Sequence, residues 1–466
     1  MNTNLMSYGE LARIPGCRLF SFSTSKNDND SFSSVSIDSR AVKQGALFFA
    51  LAGAVSDGHN FVADAFNSGA GGAVVEESKL KSFDLENAAK KAGKYLLVCQ
   101  NTLKGLQDCA RLYLEKFNNI KKVGVTGSSG KTTTKEIAAA IISAEKRTVM
   151  NKGNLNSETG LPLSVFEVNN SHEVGVFELG MNRKNEILEI ADVLKPNIAA
   201  ITNIGSAHIE YFGSKDKIFN EKKCIFNFLK EDDVALIPED DEYAEKLSAN
   251  VKAKIKFYGQ KCFKELEGTR SLGLDGTEII WDGVKINFAL PGKHNLHDAL
   301  AAIAIAKEIP VSNSAIKQGL ESVKPLFGRL ELLKGRVTVI QDCYNANPES
   351  TSSSIEFCDS VEWEGRKVYV IADMLELGDA SRSAHEKIGS QLSESKADAV
   401  FLFGKEIEAA VSFIPNKKCF FTDNIDELSD AVNSYVRQGD IVLLKGSRGR
   451  ALERLSPVLT GGTLND

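Results

Sequence analysis

The sequence predicts an α/β protein of three domains. These are a small N-terminal α/β domain over residues 1–98, a central P-loop ATPase-like parallel sheet with helices over 99–327, and a C-terminal Rossmann-like domain over 328–466. Three observations lead there. Short apolar segments alternate with helical ones along most of the chain, as in parallel strands covered by helices. The stretch "VGVTGSSGKTTTKE", Val123 to Glu136, joins an apolar segment to a helical one through a glycine-rich turn. The chain has 466 residues, 42% hydrophobic and 25% charged, an ordinary globular composition and too long for one core.

In chain order, "ALFFAL", "GGAVV" and "KYLLV" read as strands separated by glycine and polar residues, and they end near Val98. "TLKGLQDCARLYLEKF" then places Leu103, Leu106, Ala110, Leu112 and Leu114 at roughly helical spacing. It leads into the apolar strand "KVGVTG". Strands "EVGVFELG" and "NIAAITNIG" follow among helical stretches. Val251 to Leu290 reads as short, β-rich excursions before the helix "NLHDALAAIAIAKEI". After Gly328 the alternation restarts with "RVTVIQD", "KVYVIADM", "AVFLFG" and "DIVLLKG". No internal repeat or low-complexity tract interrupts this order.

Several function classes are disfavoured. No apolar run approaches the ~18 residues of a membrane span, and Met1 to Phe20 lacks the basic start and continuous apolar core of a signal peptide, so a cytoplasmic protein is expected. Eight cysteines, among them Cys17, Cys99, Cys224, Cys343 and Cys419, form no Cys-x-x-Cys pair, which argues for reduced thiols rather than a zinc site or disulfide framework. A net charge of −6 gives no general attraction to nucleic acid or anionic lipid, while leaving room for a local phosphate pocket.

The glycine-rich stretch carries the clearest chemistry. An ordinary phosphate loop has glycine five positions before its Gly-Lys pair; here Val125 stands there, and the nearer Gly127 gives the tighter Gly-x-x-Gly-Lys-Thr. Gly127, Ser128, Ser129 and Gly130 can turn backbone N–H groups toward phosphate oxygens at a helix start, where the helix dipole also favours an anion. Lys131 would reach the β and γ phosphates of ATP, and Thr132, followed by Thr133, would offer a hydroxyl to Mg²⁺. The alternative is a plain strand-to-helix turn with an incidental lysine.

Two later strand ends complete the pattern. Glu178 closes "VGVFE" and His208 lies in the loop of "AAITNIGSAHIEYFG", where ligand groups of open parallel sheets gather. A carboxylate suits Mg²⁺; an imidazole is a less usual ligand, and a loop histidine bonded to backbone is the ordinary alternative for His208.

The segments "TGSSGKTTTKE", "FELG", "TNIGSAHIEYFGS", "PGKHNLHDALAA", "FGRLE", "DCYNANPES", "ADMLELGD" and "LLKGSRG" resemble, in order and spacing, the ATP-dependent Mur ligases of peptidoglycan synthesis, over nearly the whole chain. Within that family "DCYNANPES" and "ADMLELGD" look like the member that joins a UDP-N-acetylmuramoyl-tripeptide to D-alanyl-D-alanine. The Asp-Asn-Pro-Arg motif usual in the diaminopimelate-adding sibling is absent. One departure is that the family loop commonly reads Ser-Asn-Gly or Thr-Asn-Gly where this chain has Ser128-Ser129-Gly130.

The resemblance implies an acyl phosphate made from ATP and two Mg²⁺ ions, one on Thr132 and Glu178, the other on Glu178, His208 and a carbamylated lysine. That lysine is Lys222 in "FNEKKCIF", with Lys223 one register away and a solvated basic pair as the alternative. Asn295 would contact the adenine end, Arg329 the γ-phosphate and Asp342 the ribose. Their ordinary alternatives are a helix N-cap, a surface arginine and a strand-end turn former. Ser39 and Arg40 in "SIDSRAVKQGALFFAL" match the family's uridine-diphosphate segment, an arginine being suited to a diphosphate. Asn154, Asn156 and Thr159 match the segment lining the muramoyl substrate, although asparagine and glycine also simply favour loops. Asn345 and Asn347, after a third-domain strand, would face either the nucleotide or the incoming dipeptide. A monomer is expected. The other readings are a different Mur-type or folylpolyglutamate-type amino-acid ligase, or a P-loop kinase or ATPase.

Overall fold

The computed structural model describes residues 4–23, 30–53 and 55–461. They divide into two compact units, Met1–Gly124 with Arg147–Met181 and Asn185–Asn197, and Val125–Lys146 with Asn182–Lys184 and Ile198–Asp466. The outermost residues of the expected first and third domains, 1–3 and 462–466, lie outside the described residues.

In the first unit the three expected apolar segments are adjacent strands. Leu47–Phe49, Gly72–Glu76 and Tyr95–Cys99 run parallel, with Val35–Ser36 parallel on one edge and Arg18–Ser21 antiparallel on the other. Phe48, Val62, Phe66, Val75, Leu96 and Val98 pack beneath this sheet as its core. The helix Thr102–Leu114 begins where the Asn101 side chain accepts from Lys104 N. It buries Leu106, Ala110 and Leu114 but also Gln107, Asp108 and Cys109, so Leu103 and Leu112 are only half-buried and the apolar stripe is wider than the spacing alone indicates. Strands Thr148–Met150 and Val174–Glu178 pair in parallel in the same unit.

In the second unit the glycine-rich loop opens the helix Lys131–Ser143. Strands Ile198–Ile201, Val234–Pro238 and Lys254–Tyr258 are parallel neighbours. The β-rich excursion is a three-stranded antiparallel sheet of Leu266–Ser271, Thr277–Trp281 and Val284–Phe288. The helix Lys293–Lys307 buries Ala299, Ala301, Ala302, Ala304 and Ala306; small side chains let it lie close against Lys131–Ser143. A third helix, Asn313–Ser322, presses on the same element so tightly that a Cβ on Gly319 would stand 2.3 Å from the Ile141 Cα.

The segments after Gly328 form a six-stranded sheet in the order Glu331–Lys334, Thr338–Asp342, Ile441–Lys445, Lys367–Ala372, Ala399–Phe403, Lys418–Thr422. All pairs are parallel except the first. Buried side chains pack on both faces, Ile340, Tyr369, Ile371 and Leu443 on one and Val339, Val368, Val370 and Leu444 on the other, which explains the continuous apolar runs. The antiparallel edge strand Glu331–Lys334 has no counterpart in the sequence reading. All eight cysteines are free, and no helix among the described residues is long and apolar enough to cross a membrane.

Candidate active site

The strand Lys121–Thr126 runs into Gly127, and Gly130 is the N-cap of the helix Lys131–Ser143 with φ 78°. No side chain caps this helix start, so its orientation leaves a favourable place for an anion. Lys131 Nζ curls back to donate to Gly127 O at 2.9 Å and Ser128 O at 3.3 Å. Lys222, only 1% exposed, donates from Nζ to the same Gly127 carbonyl at 2.8 Å. Lys223 points elsewhere, to Lys246 O at 2.6 Å and Ala249 O at 2.7 Å. Of the two adjacent lysines the structure therefore brings Lys222 to the loop.

A third cation arrives from the segment beyond Gly328. Arg329 Nη2 donates to Thr132 Oγ1 at 2.9 Å, and its guanidinium lies 4.3 Å from the centre of the Tyr344 ring. Asn347 caps the helix Pro348–Ser360 through Oδ1 and sends Nδ2 to Ser129 Oγ at 3.0 Å. Arg329 also borders a small surface recess with Thr133, Leu290, Asn295 and Leu326. Asn295 is not the helix N-cap: Gly292 is, and Asn295 sits in the first turn with Nδ2 bonded to Pro291 O at 2.7 Å.

Other expected residues are engaged differently. Asp342 is buried, its Oδ2 2.8 Å from Lys445 Nζ and 2.5 Å from Ser354 Oγ, while Oδ1 accepts from Leu330 N at 3.2 Å; its carboxylate holds the strand end together. Asn345 is exposed, with Oδ1 accepting from Ala346 N at 2.9 Å. His208 stands at φ 65° just before the short helix Ile209–Phe212, Nδ1 2.6 Å from Glu376 Oε2 in an ion-pair approach without an aligned hydrogen bond.

In the first unit, Glu178 is buried at the end of its strand and Oε1 accepts from Asn156 Nδ2 at 2.7 Å. Its backbone N–H and C=O are both held by the Asn151 side chain, at 2.8 and 3.0 Å. Asn154 is exposed and Thr159 precedes the helix Gly160–Val165. Ser39 and Arg40 lie in a short 3-10 turn capped by Asp38; Arg40 is 87% exposed on its side chain and paired with Asp38 at 2.7 Å.

Three residues near these groups escaped the sequence reading. Asn203, inside the quoted "TNIG", accepts from Ser128 N and Ser129 N. Asn151 fixes Glu178, and its only signal is its place directly after a strand. Asp298, on the helix Lys293–Lys307, lies against Gly130; burial pushes its carboxyl well above the carboxylate range despite the nearby Arg329 and Lys131 cations.

The fold and the loop define a P-loop nucleotide-binding α/β protein. Three family models match in succession: "Mur ligase family, catalytic domain" over 31–113, "Mur ligase middle domain" over 125–306 and "Mur ligase, glutamate ligase domain" over 328–448. Among curated relatives, the UDP-N-acetylmuramoyl-tripeptide–D-alanyl-D-alanine ligase of Treponema pallidum is 39% identical over 98% of this chain and 99% of its own. That of Bacillus subtilis is 35% identical over 90% and 92%. Among solved structures, MurF from Acinetobacter baumannii is similar with a TM-score of 0.86, 28% identity and 98% of each chain covered. The MurF ligase of Thermotoga maritima in complex with ADP has a TM-score of 0.78 and 29% identity over 92% and 97%. The chain belongs to the Mur ligase family.

Proposed function

We propose that this chain joins the terminal carboxylate of a UDP-N-acetylmuramoyl-tripeptide to the amine of D-alanyl-D-alanine, consuming ATP, in cytoplasmic peptidoglycan precursor synthesis. The observation that carries the reading is the gathering of Lys131, Lys222 and Arg329 around one glycine-turned loop at a helix start. The names and full-length coverage of the curated relatives support the choice of substrates.

A carboxylate cannot acylate an amine directly because its oxygen is a poor leaving group. Attack of that oxygen on the γ-phosphorus releases ADP and gives an acyl phosphate; attack of the amine nitrogen on the carbonyl carbon then expels phosphate, and the amine loses a proton. The protein's part is to position the reactants and offset charge. Lys131 leaves its loop carbonyls for the β and γ phosphates, with Gly127, Ser128, Ser129, Gly130, Thr132 and Thr133 shaping the cradle. Arg329 turns from the Thr132 hydroxyl toward the γ-phosphate. Asn295 and the recess beside it take the adenine end, and Asp342 the ribose, which requires its present bonds to loosen.

The donor types suit Mg²⁺: Thr132 would offer a hydroxyl and Glu178 a carboxylate, both hard oxygen donors, and His208 a ring, whose Nδ1 now stands 2.6 Å from Glu376 Oε2. Lys222, in its carbamylated form, adds oxygens in place of an ammonium. Bound Mg²⁺ would supply charge neutralisation for the transferring phosphoryl group. Ser39 and Arg40 bind the uridine diphosphate, Asn154, Asn156 and Thr159 the muramoyl peptide, and Asn345 and Asn347 the nucleotide or dipeptide. The working division is three domains, 1–98, 99–327 and 328–466, in a monomer.

Mass spectrometry of products tests this, with ATP, Mg²⁺, the UDP-tripeptide and competing D-alanyl-D-alanine, glutamate and diaminopimelate. The expected outcome is one new amide to D-alanyl-D-alanine per phosphate released. A phosphorylated product without amide would make the chain a kinase, and an amide to glutamate would make it a different ligase.

A further inference from the structure

The first half of the nucleotide loop is stitched to a neighbouring segment that begins at Thr202. Asn203 Oδ1 accepts from Ser128 N at 3.0 Å and Ser129 N at 2.9 Å, and the Asn203 backbone oxygen takes a further bond from Ser128 N at 3.1 Å. Thr202 Oγ1 donates to Ser129 O at 2.5 Å. Gly205 N donates to Ser128 Oγ at 2.8 Å, and that hydroxyl returns a bond to Gly205 O at 3.1 Å. The packing is close: a Cβ on Gly127 would stand 1.8 Å from Thr202 Oγ1, and one on Gly205 3.2 Å from Ser128 Cβ.

We propose that Asn203 is a positioning residue that sets the nucleotide loop before nucleotide arrives, so that Gly130 to Thr132 and the Lys131 ammonium are the part that meets phosphate. This rests on the function proposed above. Backbone N–H groups are how such loops hold phosphate, yet two of them are committed here to an amide oxygen of the protein. That oxygen is either a plug that nucleotide must displace or a brace that stays. The flanking bonds favour a brace. Thr202 and Gly205 hold the loop on either side of Asn203, and Ser128 N keeps its bond to the Asn203 backbone oxygen, so swinging the amide away would leave the segment in place and free only the Ser129 N–H. The brace also accounts for Val125 in place of the usual glycine: the shortened loop takes its shape from a second segment.

Calorimetric titration of Mg-ADP and, separately, of UDP-N-acetylmuramoyl-tripeptide into the parent, Asn203→Ala, Ser128→Ala and the double variant tests the idea. Asn203→Ala should weaken ADP binding about tenfold, the worth of one to two net amide bonds, with the UDP-substrate affinity unchanged. Ser128→Ala should weaken it about threefold, and the double variant by less than the product of the two, because both act on one loop. In turnover the loss should fall on KM for ATP more than on kcat. Tighter ADP binding by Asn203→Ala would make the residue a plug and overturn the proposal, as would unchanged affinity. If Asn203→Ala fails to fold, unchanged ADP affinity in Ser128→Ala overturns it. A parent that binds no ADP overturns the proposed function and this inference together; a parent that binds it equally well with both variants overturns the inference alone.

Discussion

Replacing Gly130 by alanine separates backbone geometry from packing at the loop. Gly130 has φ +78°, and the added Cβ would lie 2.1 Å from Asp298 Oδ1 and 2.8 Å from its Cγ. Holding a Cβ in the left-handed region costs about 1–2 kcal/mol. Making room against a buried carboxyl on a packed helix adds about 1–3 kcal/mol, so Gly130→Ala should lose roughly 2–5 kcal/mol. Gly153 supplies the control, with φ +54° and nothing within 4 Å of its Cβ position, so Gly153→Ala should incur only the first cost. Urea unfolding of both variants, with an ADP titration beside it, reads the difference. Gly130→Ala should be the less stable by the packing cost and should lose ADP binding. Adding Asp298→Ala should recover part of the stability, making the pair less damaging than the sum of the single changes. If Gly130→Ala is no less stable than Gly153→Ala and binds ADP as the parent does, the close approach of Asp298 has no energetic meaning and the loop is not the nucleotide site.

Lys131→Ala should abolish amide formation while costing about 1 kcal/mol or less in stability, since its bonds go to carbonyls at a loop surface; coupled phosphate release and thermal unfolding check the two halves separately. Lys222→Ala should lose most activity and keep UDP-substrate binding, with partial rescue by a high concentration of a small carboxylic acid; Lys223→Ala, whose ammonium bonds Lys246 O and Ala249 O instead, should retain the parental rate. Asp440 gives a pH signature outside the site. Burial alone would raise its pKa, but bonds from the Arg366 side chain and the Arg437 backbone outweigh that and lower it. Its stabilisation is therefore present above the unfolded carboxyl value of about 3.9 and fades as pH falls through the lower folded value. The stability gap between parent and Asp440→Asn should be constant near neutrality and close in acid, as followed by unfolding across a pH series.

The parallel strands were legible because burial on both faces leaves unbroken apolar runs, as in "KVYVIADM" and "DIVLLKG". The loop was legible because Gly127, Gly130 and Lys131 are residue types that few other structures demand together. Glu331–Lys334 was missed because it is half-exposed and pairs antiparallel with Thr338–Asp342, so its apolar signal is weak. Asn203, Asn151 and Asp298 were missed for a different reason. Each acts by meeting backbone or a Cβ-less position brought near by the fold, and a single polar letter does not report such a neighbour. Asn295 marks the reverse limit: a helix-start asparagine reads as a cap, yet Gly292 takes that place and Asn295 falls three residues inside.

Asn347 joins two elements through one planar group. Its amide oxygen receives the first-turn N–H of Ser350 at 2.8 Å, and its amide nitrogen reaches Ser129 at 3.0 Å. A carboxamide cannot stretch, so a shift of the loop by much of an ångström must either break one of these bonds or drag the helix Pro348–Ser360 with it. The side chain thus acts as a tie rod between the glycine-rich loop and the helix Pro348–Ser360. A longer residue at position 129 would have to push that rod back, so Ser129 and Asn347 are a matched pair whose lengths are fixed together, and exchanging either one alone changes the mechanical linkage as well as the local chemistry.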